Sequence, residues 1–147
     1  MRPTRTLVVI ASEGEAKFMK NEGVGKGLEE VASVTIDVLN PEAHEFADDP
    51  GRNTAAPGMG RHAFDPDTPE REHKRREFAD VVAERLKKLW DKGGYHRIVV
   101  AAPPKMLGEL RGRMGPLAEK IYAEVDKDLV NTPVRELPER FADVAAF

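Results

Sequence analysis

Three glycines, two arginines and a histidine crowd into the segment Asp49–Pro69, DPGRNTAAPGMGRHAFDPDTP. Glycine lets backbone N–H groups come close to a phosphate, and arginine adds forked, charge-assisted donors. Gly51-Arg52 and Gly58-Met59-Gly60-Arg61-His62 are therefore able to grip a phosphate backbone, with Arg52, Gly58, Gly60, Arg61 and His62 as the candidate contacts. A surface loop whose glycines confer only flexibility has an equal claim on the same residues. The pattern is neither a nucleotide P-loop nor a dinucleotide fingerprint, because no Gly-Lys-Ser/Thr follows and no strand leads straight into it. A stretch without secondary structure from about residue 40 to 67 is long for a compact domain unless it binds something, moves or is disordered.

The helix entrance Glu70–Glu77, EREHKRRE, is the second charged group. Arg71, Lys74 and Arg75 share one side of it at i, i+3, i+4 spacing and would extend the positive charge of the loop. Glu70–Lys74 and Glu72–Arg76 are also ordinary i, i+4 ion pairs, worth ~0.2–0.5 kcal/mol each. A solvated charged face is the favoured reading. Lys105 is a secondary candidate, since it follows a strand end, where α/β sheets commonly meet ligands.

Other chemistries find less support. His44, His62, His73 and His96 are scattered, and Glu70-x-x-His73 is half of a di-iron pattern with no second copy. No metal and no cofactor is expected. Nuclease chemistry on such a fold needs acids clustered by the first strand, whereas TLVVIAS has none and Glu13 and Glu15 lie beyond it. Ser12 and Ser33 are the only serines, and neither stands in a Gly-x-Ser-x-Gly elbow. His62 with Asp65 or Asp67 is a spacing that arises by chance. No constellation reaches an enzyme assignment, and the balance leans against one.

These residues must be positioned by the elements around them. Thr6–Ala11 is a continuous apolar run, as in a strand buried on both faces. Glu15–Asn21 reads as a second strand and Leu28–Leu39 as a third, with Val34, Ile36 and Val38 on one face. Thr68 caps a helix that starts at Pro69 and carries Phe78, Val81, Val82, Leu86, Leu89 and Trp90 at helical spacing, with Gly93 as its stop. Ile98–Ala102 is a buried strand. Leu107, Leu110, Met114, Leu117 and Ile121 follow in a helical pattern that Gly115–Pro116 kinks or divides. A short strand over Glu124–Leu129 and a terminal helix over Glu136–Ala145 complete the order. The fold class is α/β: a mixed sheet with an N-terminal antiparallel meander followed by α-β-α-β-α, as in ribonuclease H-like domains.

The bulk numbers fit one domain over residues 1–147, large enough to bury ~68–70% of its unfolded surface. The net charge of −3 excludes a uniformly basic binder but permits a local basic patch. The charged fraction of 33% implies a wet surface. With no cysteine there is no disulfide, thiolate nucleophile or zinc–thiolate site. The apolar run near the N-terminus is too short for a signal peptide, and nothing approaches membrane-spanning length. The expectation is a soluble, cytoplasmic protein without membrane insertion.

Ala102–Arg111, APPKMLGELR, resembles the signature of the bacterial host attachment protein family. Asp48–Arg52 (DDPGR), Phe78–Leu86 (FADVVAERL) and Asp126–Asn131 (DKDLVN) fall in that family's order and spacing. The resemblance covers nearly the whole chain. The family is in turn similar to the middle domain of archaeal and eukaryotic polypeptide-release factors. In those factors, a loop between the meander and the first long helix presents Gly-Gly-Gln to the peptidyl-transferase centre. Here Gly58–His62 takes that place and the chain has no glutamine at all. The resemblance thus implies ribosome or tRNA binding without the release-factor hydrolysis. The leading expectation is a non-enzymatic RNA- or ribosome-associated factor. A protein-interaction module affecting surface attachment is the alternative, and a hydrolase of peptidyl-tRNA-type esters using His62 stands third.

Overall fold

Thr6–Ala11 forms β1, and all six of its residues are buried, as a strand covered on both faces requires. The computed structural model describes residues 3–39 and 67–147. After β1 come β2 (Glu15–Asn21), β3 (Glu29–Thr35) and a 3-10 turn at Ile36–Leu39. The second half holds α1 (Pro69–Gly93), β4 (Arg97–Ala101), α2 (Pro104–Arg113), a 3-10 turn at Gly115–Lys120 and β5 (Ile121–Val125). A 3-10 turn at Val134–Glu136 leads into the one-turn helix α3, Leu137–Arg140.

The five strands make one sheet in the order β3-β2-β1-β4-β5. Pairing is antiparallel from β1 to β2 and from β2 to β3, and parallel from β1 to β4 and from β4 to β5. Order and direction match the meander followed by α-β-α-β-α. Alternation along β1 sends Leu7 and Val9 to one face and Val8 and Ile10 to the other. Phe78, Val82 and Leu86 of α1 and Met106, Leu107 and Leu110 of α2 cover the first face. Leu129, Val130, Leu137 and Phe141 cover the second. The sheet thus lies between two α-helices and the C-terminal segment.

Local chemistry sets the helix ends. The Thr68 hydroxyl accepts from the Arg71 N–H at 3.1 Å, and Pro69 takes the first position, where a missing N–H costs nothing. Gly93 is the last helical residue, and Gly94 adopts the left-handed cap at φ 65°. A Cβ on Gly93 would stand 1.9 Å from the Tyr95 ring, so only glycine admits that ring. The Arg5 guanidinium donates to the Gly93 carbonyl and ties the start of β1 to the negative end of α1. Trp90 is half-buried against the first face.

Three sequence expectations are corrected. The third strand ends at Thr35, because the Ile36 N–H turns aside to the Gly14 carbonyl (2.9 Å) and the chain coils into a 3-10 turn. The last strand is Ile121–Val125, earlier than Glu124–Leu129, and is set by its pairing with β4 from Ile98↔Ile121 to Ala101↔Val125. Leu129 and Val130 are freed to cover the second face. The terminal helix reaches only Leu137–Arg140, because past it the Ala142 N–H bonds the Glu139 carbonyl at 3.2 Å in a turn and the helical ladder stops. Beyond it the Val144 and Ala145 N–H groups both turn back to the Phe141 carbonyl at 2.9 Å.

Candidate functional site

Charged residues converge beyond the carboxyl ends of β1 and β4. The chain leaves β1 toward β2 and leaves β4 toward β5, so the connections diverge here, the place where α/β sheets leave a crevice. The β1–β2 turn is held by Ser12, whose N–H donates to the Glu15 carbonyl (2.8 Å) and whose hydroxyl accepts from the Gly14 and Glu15 N–H groups at 3.2 and 3.1 Å. That turn presents Glu13 to the first turns of α1. Glu13 Oε1 lies 3.3 Å from Arg71 Nε, and its Oε2 lies 3.3 Å from Arg75 Nε.

Arg75 is the centre of the group. Its side chain is only 3% exposed, and its Nη2 donates to Asp67 Oδ1 at 2.5 Å. Asp67 Oδ2 lies 3.3 Å from Lys105 Nζ at the start of α2. One carboxylate therefore bridges a buried arginine and an exposed lysine on separate helices. Asp67 precedes the Thr68 cap, so the same ion pairs fix the entry to α1.

The electrostatics reinforce these contacts. The Arg75 hydrogen bond, aided by Lys105, holds the Asp67 carboxyl below the usual aspartate range, although partial burial opposes it. The bond from Asp67 raises the Arg75 pKa against burial, with Glu13 adding to the effect. On the neighbouring surface the Arg113 hydrogen bond lowers the Glu109 pKa, and Arg76 contributes further. Glu109 Oε1 is 2.6 Å from Arg113 Nη1, and Glu72 Oε1 is 2.5 Å from Arg76 Nη2.

Asp67, Glu72, Arg75, Lys105, Gly108 and Glu109 line an open cavity of about 430 Å³, broadly exposed to solvent, between the starts of α1 and α2. Its lining is mostly polar and charged. No group of three or more histidine or carboxylate side chains is placed to hold a metal ion among the described residues. Nor is any described helix long and apolar enough to cross a membrane.

The expected contact residues divide into three sets. Arg52, Gly58, Gly60, Arg61 and His62 lie outside the described residues. Arg71, Arg75 and Lys105 come together with Glu13 and Asp67. Lys74 is exposed and makes no ion pair among the described residues. The solvated-face reading of the helix entrance is corrected at Arg75, which is buried and neutralised by two carboxylates. The Glu72–Arg76 pair forms as expected. Glu13 and Asp67 were not anticipated as site residues. A signal for Arg75 was present in its spacing of 3, 7 and 11 from Phe78, Val82 and Leu86, which places it on the buried face of α1.

No curated protein matches the chain. A solved Aquifex aeolicus Ppx/GppA phosphatase, the type II variant, superposes at 10% identity with a TM-score of 0.40. The alignment covers 83% of this chain and 35% of that one, and a likeness so distant says nothing about function. A family model described as a protein required for attachment to host cells matches residues 7–141. Spanning nearly the whole chain, that match carries the assignment: the chain belongs to this host attachment family.

Proposed function

We propose that this host attachment family protein is a non-enzymatic RNA- or ribosome-associated factor that presents Gly58–His62 to RNA phosphate. The observation that carries this reading is the anchoring of Asp67 and Thr68. The chain re-enters the fold at a point locked by a buried arginine, beside exposed Lys74 and Lys105. A segment carrying Arg52, Arg61 and His62 thus returns to a rigid base with cations at its edge. That arrangement suits a probing element, because rigid anchorage lowers the entropy lost when such a segment binds.

The absence of glutamine from the chain argues against release-factor hydrolysis. Nuclease chemistry is likewise poorly served, since Glu13 and Asp67 near the first strand are both committed to Arg75. Sedimentation of the protein with ribosomes across a salt series tests the reading. Wild type is expected in the ribosomal fraction at low salt and free at high salt. Arg61→Ala should be released at lower salt with an unchanged thermal midpoint. Absence from ribosomal fractions at low salt would overturn it.

The family description favours a second reading, a protein-interaction module that affects attachment at the cell surface. Here Arg52–His62 would contact a protein partner. Capture of that partner would survive ribonuclease treatment, whereas an RNA-bridged association would not.

A further inference from the structure

We infer that the cavity between the starts of α1 and α2 is a binding site for a phosphate monoester, now closed by the Asp67 carboxylate acting as an internal stand-in for the ligand. The site is separate from Gly58–His62 but shares Asp67 with the RNA reading, so ligand binding here would release the Asp67–Arg75 contact that anchors that segment. Asp67 places one oxygen 2.5 Å from Arg75 Nη2 and the other 3.3 Å from Lys105 Nζ. One arginine N–H and a lysine from different helices, meeting on one anion, are elements of an oxyanion site.

The charges around it favour an anion once Asp67 moves aside. Of the other acids lining the cavity, Glu72 is held by Arg76 at 2.5 Å and Glu109 by Arg113 at 2.6 Å. Without Asp67, the three cations Arg71, Arg75 and Lys105 face Glu13 alone. A phosphate dianion can accept from both Arg75 and Lys105 and still offer an oxygen to the first-turn N–H groups of α2. Those donors have no carbonyl within the helix to reach.

Two further observations bear on the shape of the site. Arg75 Nε faces the Glu13 carboxylate at 3.3 Å, away from the cavity, which leaves the Nη2 end of the guanidinium as the part an anion there would meet. Gly108 lines the cavity from the middle of α2, where alanine is the better helix former. A Cβ there would meet nothing within 4 Å, and the backbone takes no conformation that requires glycine. Among the described residues nothing packs on this position, so the cavity wall is open there. The depression is open to solvent, and its volume of about 430 Å³ leaves room beyond a bare phosphate. The monoester belongs either to a free phosphorylated metabolite or to the 5′-phosphate end of an RNA.

Calorimetric titration with inorganic phosphate and with a nucleoside 5′-monophosphate tests the site, using the full chain and a chloride control of equal ionic strength. Asp67→Asn removes the competing charge and should tighten binding on the order of tenfold, with the fold checked by thermal melting. Adding Lys105→Ala to that variant should reverse the gain, and adding Gly108→Leu should block the larger ligand more than phosphate. Comparison of 5′-phosphorylated and 5′-hydroxyl oligonucleotides separates the two sources. Preference for the phosphorylated RNA over the mononucleotide assigns the RNA end, and the reverse assigns a metabolite. Lack of saturable binding by folded Asp67→Asn protein would overturn the inference. Binding indifferent to Lys105→Ala would do the same.

Discussion

Replacing Arg75 by methionine keeps the apolar stem in the core and removes the guanidinium that holds Asp67 and Glu13. Breaking a fully buried ion pair by deleting one partner costs ~3–5 kcal/mol. Here the side chains of Asp67 and Glu13 are 22% and 28% exposed, so water relieves part of the loss. Charge-assisted hydrogen bonds of this kind are worth ~1.5–3 kcal/mol, and a buried methionine recovers some of that by burial. The net expectation is a loss of roughly 2 kcal/mol. With a urea dependence of ~1–3 kcal/mol per molar for a small protein, the midpoint should fall by about 1 M. Fluorescence of Trp90, the only tryptophan, reports the transition from within α1. The triple change Arg75→Met, Asp67→Asn, Glu13→Gln should regain most of the loss, because no carboxylate is left without its partner. A single Arg75→Met variant within about 0.5 kcal/mol of wild type, as for a surface substitution, would refute the reasoning.

Three other outcomes follow from the same contacts. Asp67 and Glu109 have folded pKa values below the ordinary 3.8 and 4.5, so their stabilisation is complete above those values and is lost as pH falls through the lowered ones. Thermal midpoints measured from pH 6 down to about pH 2 should therefore fall less steeply below about pH 4 for Asp67→Asn than for wild type. Thr68→Ala removes the acceptor for the Arg71 N–H and should cost about 1 kcal/mol in urea unfolding. Phe141→Ala strips the cover from Val8, Ile10 and Val99 and should cost ~3–5 kcal/mol by the same assay.

Much of the scaffold could be read from local pattern alone. Thr6–Ala11 and Glu15–Asn21 have the strand bounds expected of them, and Thr68-Pro69 starts α1 where capping chemistry places it. Periodicity misled where different backbones feed one core. Leu117 and Ile121 continue the spacing of Leu107 and Leu110, yet they reach the first face from a 3-10 turn and a strand. The C-terminal segment departs for another reason, since Leu129, Val130 and Phe141 are recruited by a sheet face that only the assembled fold creates.

The candidate site was legible in its cations more than in its anions. Arg71, Arg75 and Lys105 stood out by charge and position. In the sequence Glu13 is only an acid beyond the first strand, and Asp67 only a chance-spaced neighbour of His62. Their pairing through Arg75 joins positions 13, 67 and 75, a relation that no short-range spacing encodes. Residue type groups Arg75 with its charged neighbours, whereas its phase with Phe78, Val82 and Leu86 places it inward.

The proposed RNA contact is tested most directly by the salt dependence of binding. Affinity for ribosomes measured between about 50 and 200 mM salt should fall linearly on a double-logarithmic plot, with a slope set by the number of phosphates neutralised. The account predicts that Arg61→Ala lowers the magnitude of that slope by about one and weakens binding at low salt. Equal affinity and equal slope for the two proteins, or no binding by wild type at low salt, would contradict it.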